Sequence, residues 1–484
     1  MAKIAIYAFS TSAFFFKEVY TLLNKRNIDA TLIFPRGTFL YEFGDILKNI
    51  DYLYLYENFD LEYANKEDVE FLFSDDTIYK ILEADKSETN SGSYKSLNKD
   101  VQLKIIKIIY KIYKIFLLKT KPNYILFPDV ETVDGLILLN LAYELKIEPI
   151  YYVHTRYMGK SFFSNSVYET LPSYYGSYTN QDYLLAEELL KNFSSLSSNY
   201  KIKDWIDSKQ YKIHLQPLVT RMMEGIKRDL TTEKLFKGEG KGLAYRVKTN
   251  IVPLLEVYRR TKFSFMDKKK FDIQSDNDLY KLPKKFVFFA LQVTPESSIN
   301  SLEPYFIDQL RAIDLLRLNL PNNFYLVVKE HPSMIGIRDS SFYKTLTKKA
   351  GIVLVNPNVN TWEIINRAKL TATITGTIAF ECFIHDKAAL LFGPNFFSHL
   401  VYTYDSYKNL KLELERMIFA HKPMSKKEKI IELAKIYNIT YNTFLFEPIM
   451  NAIVMEKQNI ENYIFAIEKH IQRLEEYNCN KEIN

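Results

Sequence analysis

The chain has 484 residues, 47% of them hydrophobic and 25% charged, which excludes a disordered protein and leaves room for two or three packed domains. A net charge of +6 is too small and too dispersed for a nucleic-acid face, but it suits anionic substrates or an anionic membrane surface. Cys382 and Cys479, the only cysteines, offer neither metal-ligand spacing nor a disulfide framework, so a reducing compartment is expected.

Residues 3–8 read as a buried strand. The polar turn Ser10-Thr11-Ser12 follows, then a helix through Lys17–Leu23 and a second strand over 30–34. Strand, helix, strand at this spacing predicts a parallel sheet. The opening apolar run is interrupted too early for a signal peptide, and no stretch reaches the roughly 18 apolar residues of a membrane span. Residues 85–100 are polar and predict an exposed loop. The run 105–118 carries Lys107, Lys111 and Lys114 at helical spacing, which predicts a helix with one basic face, either solvated or lying on a membrane surface. A second strand-helix-strand unit spans 124–127, 135–145 and 149–153. From 180 to 265 the pattern is helical and charged. Residues 267–285 are polar and strand-poor, and they predict the linker between domains.

Strands then restart over 286–291, 324–328, 353–355, 370–374 and 388–392, separated by helices over 299–318, 342–350, 361–368 and 377–385. This regular alternation predicts a doubly wound α/β sheet, whose ligands sit beyond the carboxyl ends of the strands. The expected domains are 1–266, 286–424 and a helical tail 425–484, which either packs across both domains or mediates dimerisation.

Four strand ends carry candidate chemistry. The segment from Gln292 through Glu296 to Ser298 follows the first strand of the second half, and its carboxylate is either catalytic or a cap. Lys329-Glu330-His331-Pro332 follows the next, where a His and a Lys suit a phosphate leaving group. Asn356-Pro357-Asn358-Val359-Asn360 follows the third and offers amides to a base or ribose, or forms an ordinary Asn-rich turn. Thr375-Gly376-Thr377 follows the fourth. A threonine there can cap the next helix, the glycine lets backbone approach an anion, and Glu381 lies one helical turn on, where it suits ribose hydroxyls. Singly, each has a bland structural reading. Together they are expected to point into one cleft.

The ordered motifs QVTPESSI, KEHP, NPNVNTWEIINRA, TITGTIAFEC and LLFGPNFF, over residues 286–397, resemble the bacterial capsule polysaccharide biosynthesis family, which includes Kdo transferases using a CMP-activated sugar. A weaker match lies at FPDVETVDG and VHTRYMGKSFFSNSVYE. The resemblance implies a GT-B-like fold: two Rossmann-like doubly wound domains facing a cleft, the second binding a nucleotide-sugar donor and the first a glycan or glycolipid acceptor. It also implies that His331 binds the donor phosphate, that Thr375, Gly376 and Thr377 cradle it and that Glu381 holds the ribose. Glu296 takes an acidic catalytic position at which Asp is usual. In the first domain Glu131, Arg156 and Glu169, with Ser12 at the first strand end, are candidates for acceptor or sugar contacts, Glu131 as a base.

The expectation is therefore a cytoplasmic glycosyltransferase of surface polysaccharide synthesis, working at the inner face of the cytoplasmic membrane or free of it. It would transfer Kdo or a related acidic sugar from CMP, with no metal, cofactor or nucleic acid. The alternatives are a CDP-dependent polyol-phosphate transferase and a non-catalytic scaffold of the same fold.

Overall fold

The computed structural model describes residues 3–9, 12–35, 52–55, 70–84, 99–128, 130, 132–155, 158, 160–199, 271–294, 296–334, 337–445 and 452–483. They form two compact units. Described residues up to Asn199 and from Ile430 onward make the first, and Phe271 to Lys429 make the second.

In the first unit, β1 (Ile4–Tyr7), β2 (Ala30–Phe34), β3 (Tyr52–Tyr54), β4 (Tyr124–Phe127), β5 (Glu148–His154) and β6 (Ser161–Ser164) pair in the order β3-β2-β1-β4-β5-β6. All pairs are parallel except β5 with β6. Strands β1, β2 and β4 are buried along their whole length, as continuous apolar runs must be when helices cover both faces of a sheet. Helices Ser12–Lys25, Lys99–Thr120 and Val133–Glu144 supply part of that cover.

The basic stripe on helix Lys99–Thr120 is used within the unit. Lys111 is buried, Lys114 pairs with Glu144 at 2.8 Å, and Lys107 lies over the Phe71 ring. The basic face expected from spacing alone is thus interrupted at Lys111 and Lys114, while Lys107 stays exposed beside the Phe71 ring. No described helix is long and apolar enough to cross a membrane.

The C-terminal segment belongs to the first unit. Tyr463, Ile464 and Ile467 of helix Lys457–Ile483 are buried in one core cluster with Ile4, Phe15, Phe16 and Leu32. Phe15 meets Tyr463 edge to face at 4.9 Å between ring centroids, an arrangement favoured by the ring quadrupoles. Tyr441 and Ser161 exchange backbone hydrogen bonds of 2.7 and 2.9 Å, which ties this segment to the edge strand β6.

In the second unit, β7 (Phe286–Ala290), β8 (Tyr325–Lys329), β9 (Ile352–Val355), β10 (Leu370–Thr373), β11 (Ala389–Leu391) and β12 (Tyr402–Thr403) pair in the order β12-β11-β10-β7-β8-β9, all parallel. Both sheets therefore have one topology: each winds outward in both directions from its first strand. The strand order reverses between β1 and β4 in one and between β7 and β10 in the other, and crevices at such reversals are where doubly wound sheets bind ligands. Two doubly wound units in one chain make the fold GT-B-like.

Three expectations are corrected. The described part of the proposed linker, 271–285, is integral to the second unit: Phe271 is in its core, and Ile273 bridges to Val355. The helix expected over 299–318 is broken into Ser297–Asn300, a 3-10 turn Pro304–Phe306 and Leu310–Asn319. Pro304 is the cause. It lacks an amide proton and pushes the preceding residue out of the helical region, and Glu303 has φ −145° and ψ 67°. A short sixth strand, β12, lies beyond the last one expected.

Candidate functional site

The carboxyl ends of β7, β8, β10 and β11 are joined by one hydrogen-bond network, and the β9 end is braced to β8 separately. Gln292, just past β7, spans the reversal point. Its Oε1 accepts from the Thr375 amide at 2.7 Å and from Thr373 Oγ1 at 3.3 Å, while its Nε2 donates to Thr375 Oγ1 at 3.1 Å. Thr375 Oγ1 in turn donates to the Ser298 carbonyl, and Asn395 Nδ2, past β11, donates to the Thr375 carbonyl. Gln309 fixes the Gln292 backbone from both sides, accepting from its amide at 3.0 Å and donating to its carbonyl at 2.9 Å. Every polar group of Thr375 is thus committed to the protein. The residue sets the shape of the crevice and does not cap the next helix, as it was expected to be able to do. Thr377 makes no side-chain cap either.

What remains available at this turn is backbone. Among the described residues no hydrogen bond uses the amides of Gly376, Thr377 or Ile378. A Cβ on Gly376 would stand 2.6 Å from Thr373 Oγ1, so only glycine permits the tight turn. Glu381 lies in the first turn of helix Ile378–Ile384, half-buried.

The β8 end is held by a buried ion pair that the sequence reading missed. Arg338 bonds Glu330 through Nε and Nη2 and reaches the Gln292 carbonyl at 2.6 Å. Glu330 also accepts from Tyr343 Oη at 2.8 Å and from the His331 amide at 2.6 Å. With side-chain exposures of 0% for Glu330 and 8% for Arg338, the pair is removed from water, where only such complete hydrogen bonding makes two charges tolerable. Nothing local announces it: Arg338 is separated from Glu330 by the Pro332–Met334 turn, and the partnership appears only on folding.

His331 sits on this base. Burial pushes its pKa down to about 4, with the nearby Lys329 and Arg338 charges acting in the same direction and Glu330 against them. The ring is therefore neutral near pH 7. Its Nδ1 faces the Ser333 amide at 3.2 Å and accepts from it, which assigns the proton to Nε2. His331 thus presents one neutral N–H donor. Pro332, which follows it, is exposed.

Lys329 has another task. It is 5% exposed, its Nζ donates to the Pro357 carbonyl at 2.8 Å, and burial lowers its pKa to about 8. It braces β8 against the turn after β9. That turn matches the ordinary Asn-rich reading: Asn356 Oδ1 accepts from the Asn358 amide, Asn360 Oδ1 caps the Trp362 amide, and only Asn358 leaves its side chain exposed and uncommitted. Glu296 is half-buried, and its amide donates to Asn300 Oδ1 at 3.1 Å. The network therefore gathers Gln292, Ser298, Lys329, His331 and Thr375. Among the described residues, no hydrogen bond ties the side chains of Glu296 or Thr377 to it.

In the first unit, Glu131 and Arg156 lie outside the described residues. Ser12 opens its helix and donates its hydroxyl to the Phe9 carbonyl. Glu169 is a turn residue with φ 53°. The polar feature at the β1/β4 reversal is one the sequence reading passed over: Asp134, 1% exposed, accepts from Tyr7 Oη at 3.3 Å. Gly135 makes room for it, since a Cβ there would stand 2.9 Å from the Tyr7 oxygen. Among the described residues no three His, Cys, Asp or Glu side chains are grouped as a metal would need.

Residues 245–439 match the family model described as capsule polysaccharide biosynthesis protein. No curated protein matches the chain. Among solved structures it is similar to the KpsC beta Kdo 2,7 transferase of Thermosulfurimonas dismutans, at 13% identity and TM-score 0.31, covering 74% of this chain and 89% of that one. The beta Kdo 2,4 transferase of the same protein aligns at 11% identity and TM-score 0.28, covering 65% and 79%. UDP-GlcNAc 2-epimerase of Methanocaldococcus jannaschii aligns at 12% identity and TM-score 0.26, covering 90% and 99%.

Proposed function

From the match of residues 245–439 to the capsule polysaccharide biosynthesis family model, we propose a glycosyltransferase of capsule synthesis that binds its nucleotide-sugar donor at the carboxyl edge of the second sheet. One observation carries the reading. The ends of four strands, β7, β8, β10 and β11, are cross-linked around Gln292 and Thr375 at the β7/β10 reversal, leaving a turn of uncommitted amides at 376–378 as the approach for an anion.

The donor phosphate accepts from those amides and from the neutral Nε2–H of His331. A neutral donor at fixed geometry stabilises charge that develops on the leaving phosphate without holding the product as tightly as a cation would. The motif order supports a CMP-activated donor carrying Kdo or a related acidic sugar. Glu296 is the carboxylate for a retaining transfer. It attacks the anomeric carbon as the bond to the nucleotide phosphate breaks, and an acceptor hydroxyl then displaces it from the sugar, losing its proton to a base for which Glu131 is the candidate. Asn358 and Glu381 are the remaining candidates for base and ribose contacts, and Arg156, Glu169 and Ser12 for the acceptor.

The test is calorimetric titration with CMP and with UDP, followed by turnover of Glu296→Gln. Micromolar CMP binding with weak UDP binding is expected, as is a loss of turnover of 100-fold or more in the variant, a size typical of a lost catalytic group. Preferential UDP binding rejects the CMP assignment, near-normal turnover removes Glu296 from the chemistry, and a phosphodiester in the product would make the enzyme a polyol-phosphate transferase.

A further inference from the structure

A carboxyl group outside the motifs lies against the same turn. Glu303 would have been one more position of a helix over 299–318, but Pro304 ends that helix early and swings Glu303 to the strand edge. Gly393, just past β11, shows how close it comes. A Cβ on Gly393 would meet Glu303 Cβ at 2.8 Å and Cγ at 3.1 Å on one side, and Thr375 Cγ2 at 2.9 Å on the other. Glu303 and Thr375 therefore flank one point of bare backbone.

Two more unsatisfied polar atoms touch the same residue's surroundings. Asn395, whose Nδ2 holds the Thr375 carbonyl, has a buried Oδ1 with no hydrogen-bond partner, and Ser298, whose carbonyl takes the Thr375 hydroxyl, has a buried Oγ with none. The Glu303 carboxyl itself has no hydrogen-bond donor among the described residues, and it is half-buried, so solvent reaches it. Among the described residues no cation is recorded against its charge, and the titratable groups on that side are Tyr404, Tyr305 and Asp405; burial raises the Tyr404 pKa, and the charges of Tyr305, Asp405 and Glu303 raise it further.

We propose that Glu303 is a proton-carrying carboxyl of the donor site, protonated when an anionic nucleotide is bound and donating a hydrogen bond to it. The inference rests on the donor-site reading above and deepens it. Burial without a compensating cation already raises the free group's pKa to about 6, and a phosphate or sugar carboxylate brought alongside raises it further, because two anions at one site cannot both stay charged in a poorly solvated crevice. Binding then takes a proton from solvent: one proton moves from water to the Glu303 carboxylate for each donor bound, and none is released elsewhere.

The experiment is titration of the whole protein with CMP methyl ester and with UMP methyl ester, whose single phosphate charge does not titrate near neutrality. It is run at pH 7 in two buffers of different ionisation enthalpy. The expected uptake is about half a proton or more per site, with affinity rising as pH falls from 8 and levelling off below about 6. Glu303→Gln, a neutral isostere, is expected to bind with a flat pH profile between 6 and 8 and no uptake. Uptake that persists in the variant belongs to another group, His331 among them, and overturns the proposal. So does binding of either ester to the unaltered protein without uptake, a result that needs no variant and leaves the donor-site reading standing. Failure of both esters to bind overturns that reading and the inference with it.

Discussion

The two units share a strand order and differ at its reversal. In the second, the β7/β10 reversal is lined by amides, hydroxyls and an ion pair, cross-linked so that backbone N–H groups at 376–378 are left over. In the first, the described residues at the β1/β4 reversal include stacked aromatic rings, Tyr7 with Phe9 and Phe127 with Tyr151, and the buried carboxylate Asp134. The same strand order therefore positions a crevice without equipping it. The equipment comes from the residues just past each strand, and among the described residues the second unit has more polar side chains there. It also spends stability, since buried polar groups are tolerable only while every partner is in place.

The largest effect should come from breaking the second unit's ion pair. Arg338→Leu leaves Glu330 buried and unpaired, and about 3–5 kcal/mol of stability should be lost in denaturant unfolding. A loss under 1 kcal/mol would mean that the network is not closed as described. Next, Gly376→Ala and Gly393→Ala each place a methyl within 3 Å of fixed atoms, so about 1–3 kcal/mol is expected from each, with weakened nucleotide binding. Gly135→Ala in the first unit should cost a similar amount of stability with no effect on nucleotide affinity, which separates the two reversals directly.

Acid should expose a third contrast. Burial lowers His470, 0% exposed in the first unit, to about 3, and His331 in the second to about 4. Unfolded histidines take up protons below about 6.5 while these two do not. The unfolded state therefore gains protons first, and stability falls as pH drops from about 6.5 towards the folded values. Each should cost about 2 kcal/mol between pH 7 and pH 5, and His470→Phe or His331→Gln should remove its share of that slope. The smallest effect is expected at Lys329. Lys329→Met removes a brace to the Pro357 carbonyl and should cost about 1–2 kcal/mol of stability, with nucleotide affinity changed less than threefold. A tenfold loss of affinity would return Lys329 to the phosphate.

Much of the fold was legible because parallel strands buried on both faces are short continuous apolar runs. Phe286–Ala290 and Tyr325–Lys329 announce themselves this way, and the polar residues after them mark the carboxyl edge. Elements with little periodicity were not legible: the three-residue β3, the edge strand β6 and the two-residue β12. The apolar stripe of Lys457–Ile483 could be read as needing a partner, but not as needing Phe15 and Ile4, which lie some 450 residues earlier. At the site, Gln292, Ser298, Lys329, His331 and Thr375 lie at or just past the carboxyl ends of strands of one sheet, a position that follows from strand assignment. Their roles were not legible. Whether a hydroxyl or an ammonium is free or committed depends on partners such as Arg338, Gln309 and Asn395, which no local pattern joins to them.

The proposed function puts nucleotide at the carboxyl edge of the second sheet and not at the matching edge of the first. Amide hydrogen exchange with and without saturating CMP tests it most directly. Protection is predicted in 329–334 and 373–381, and absent from 130–136. Protection confined to 130–136, with exchange at 373–381 unchanged, would contradict the account.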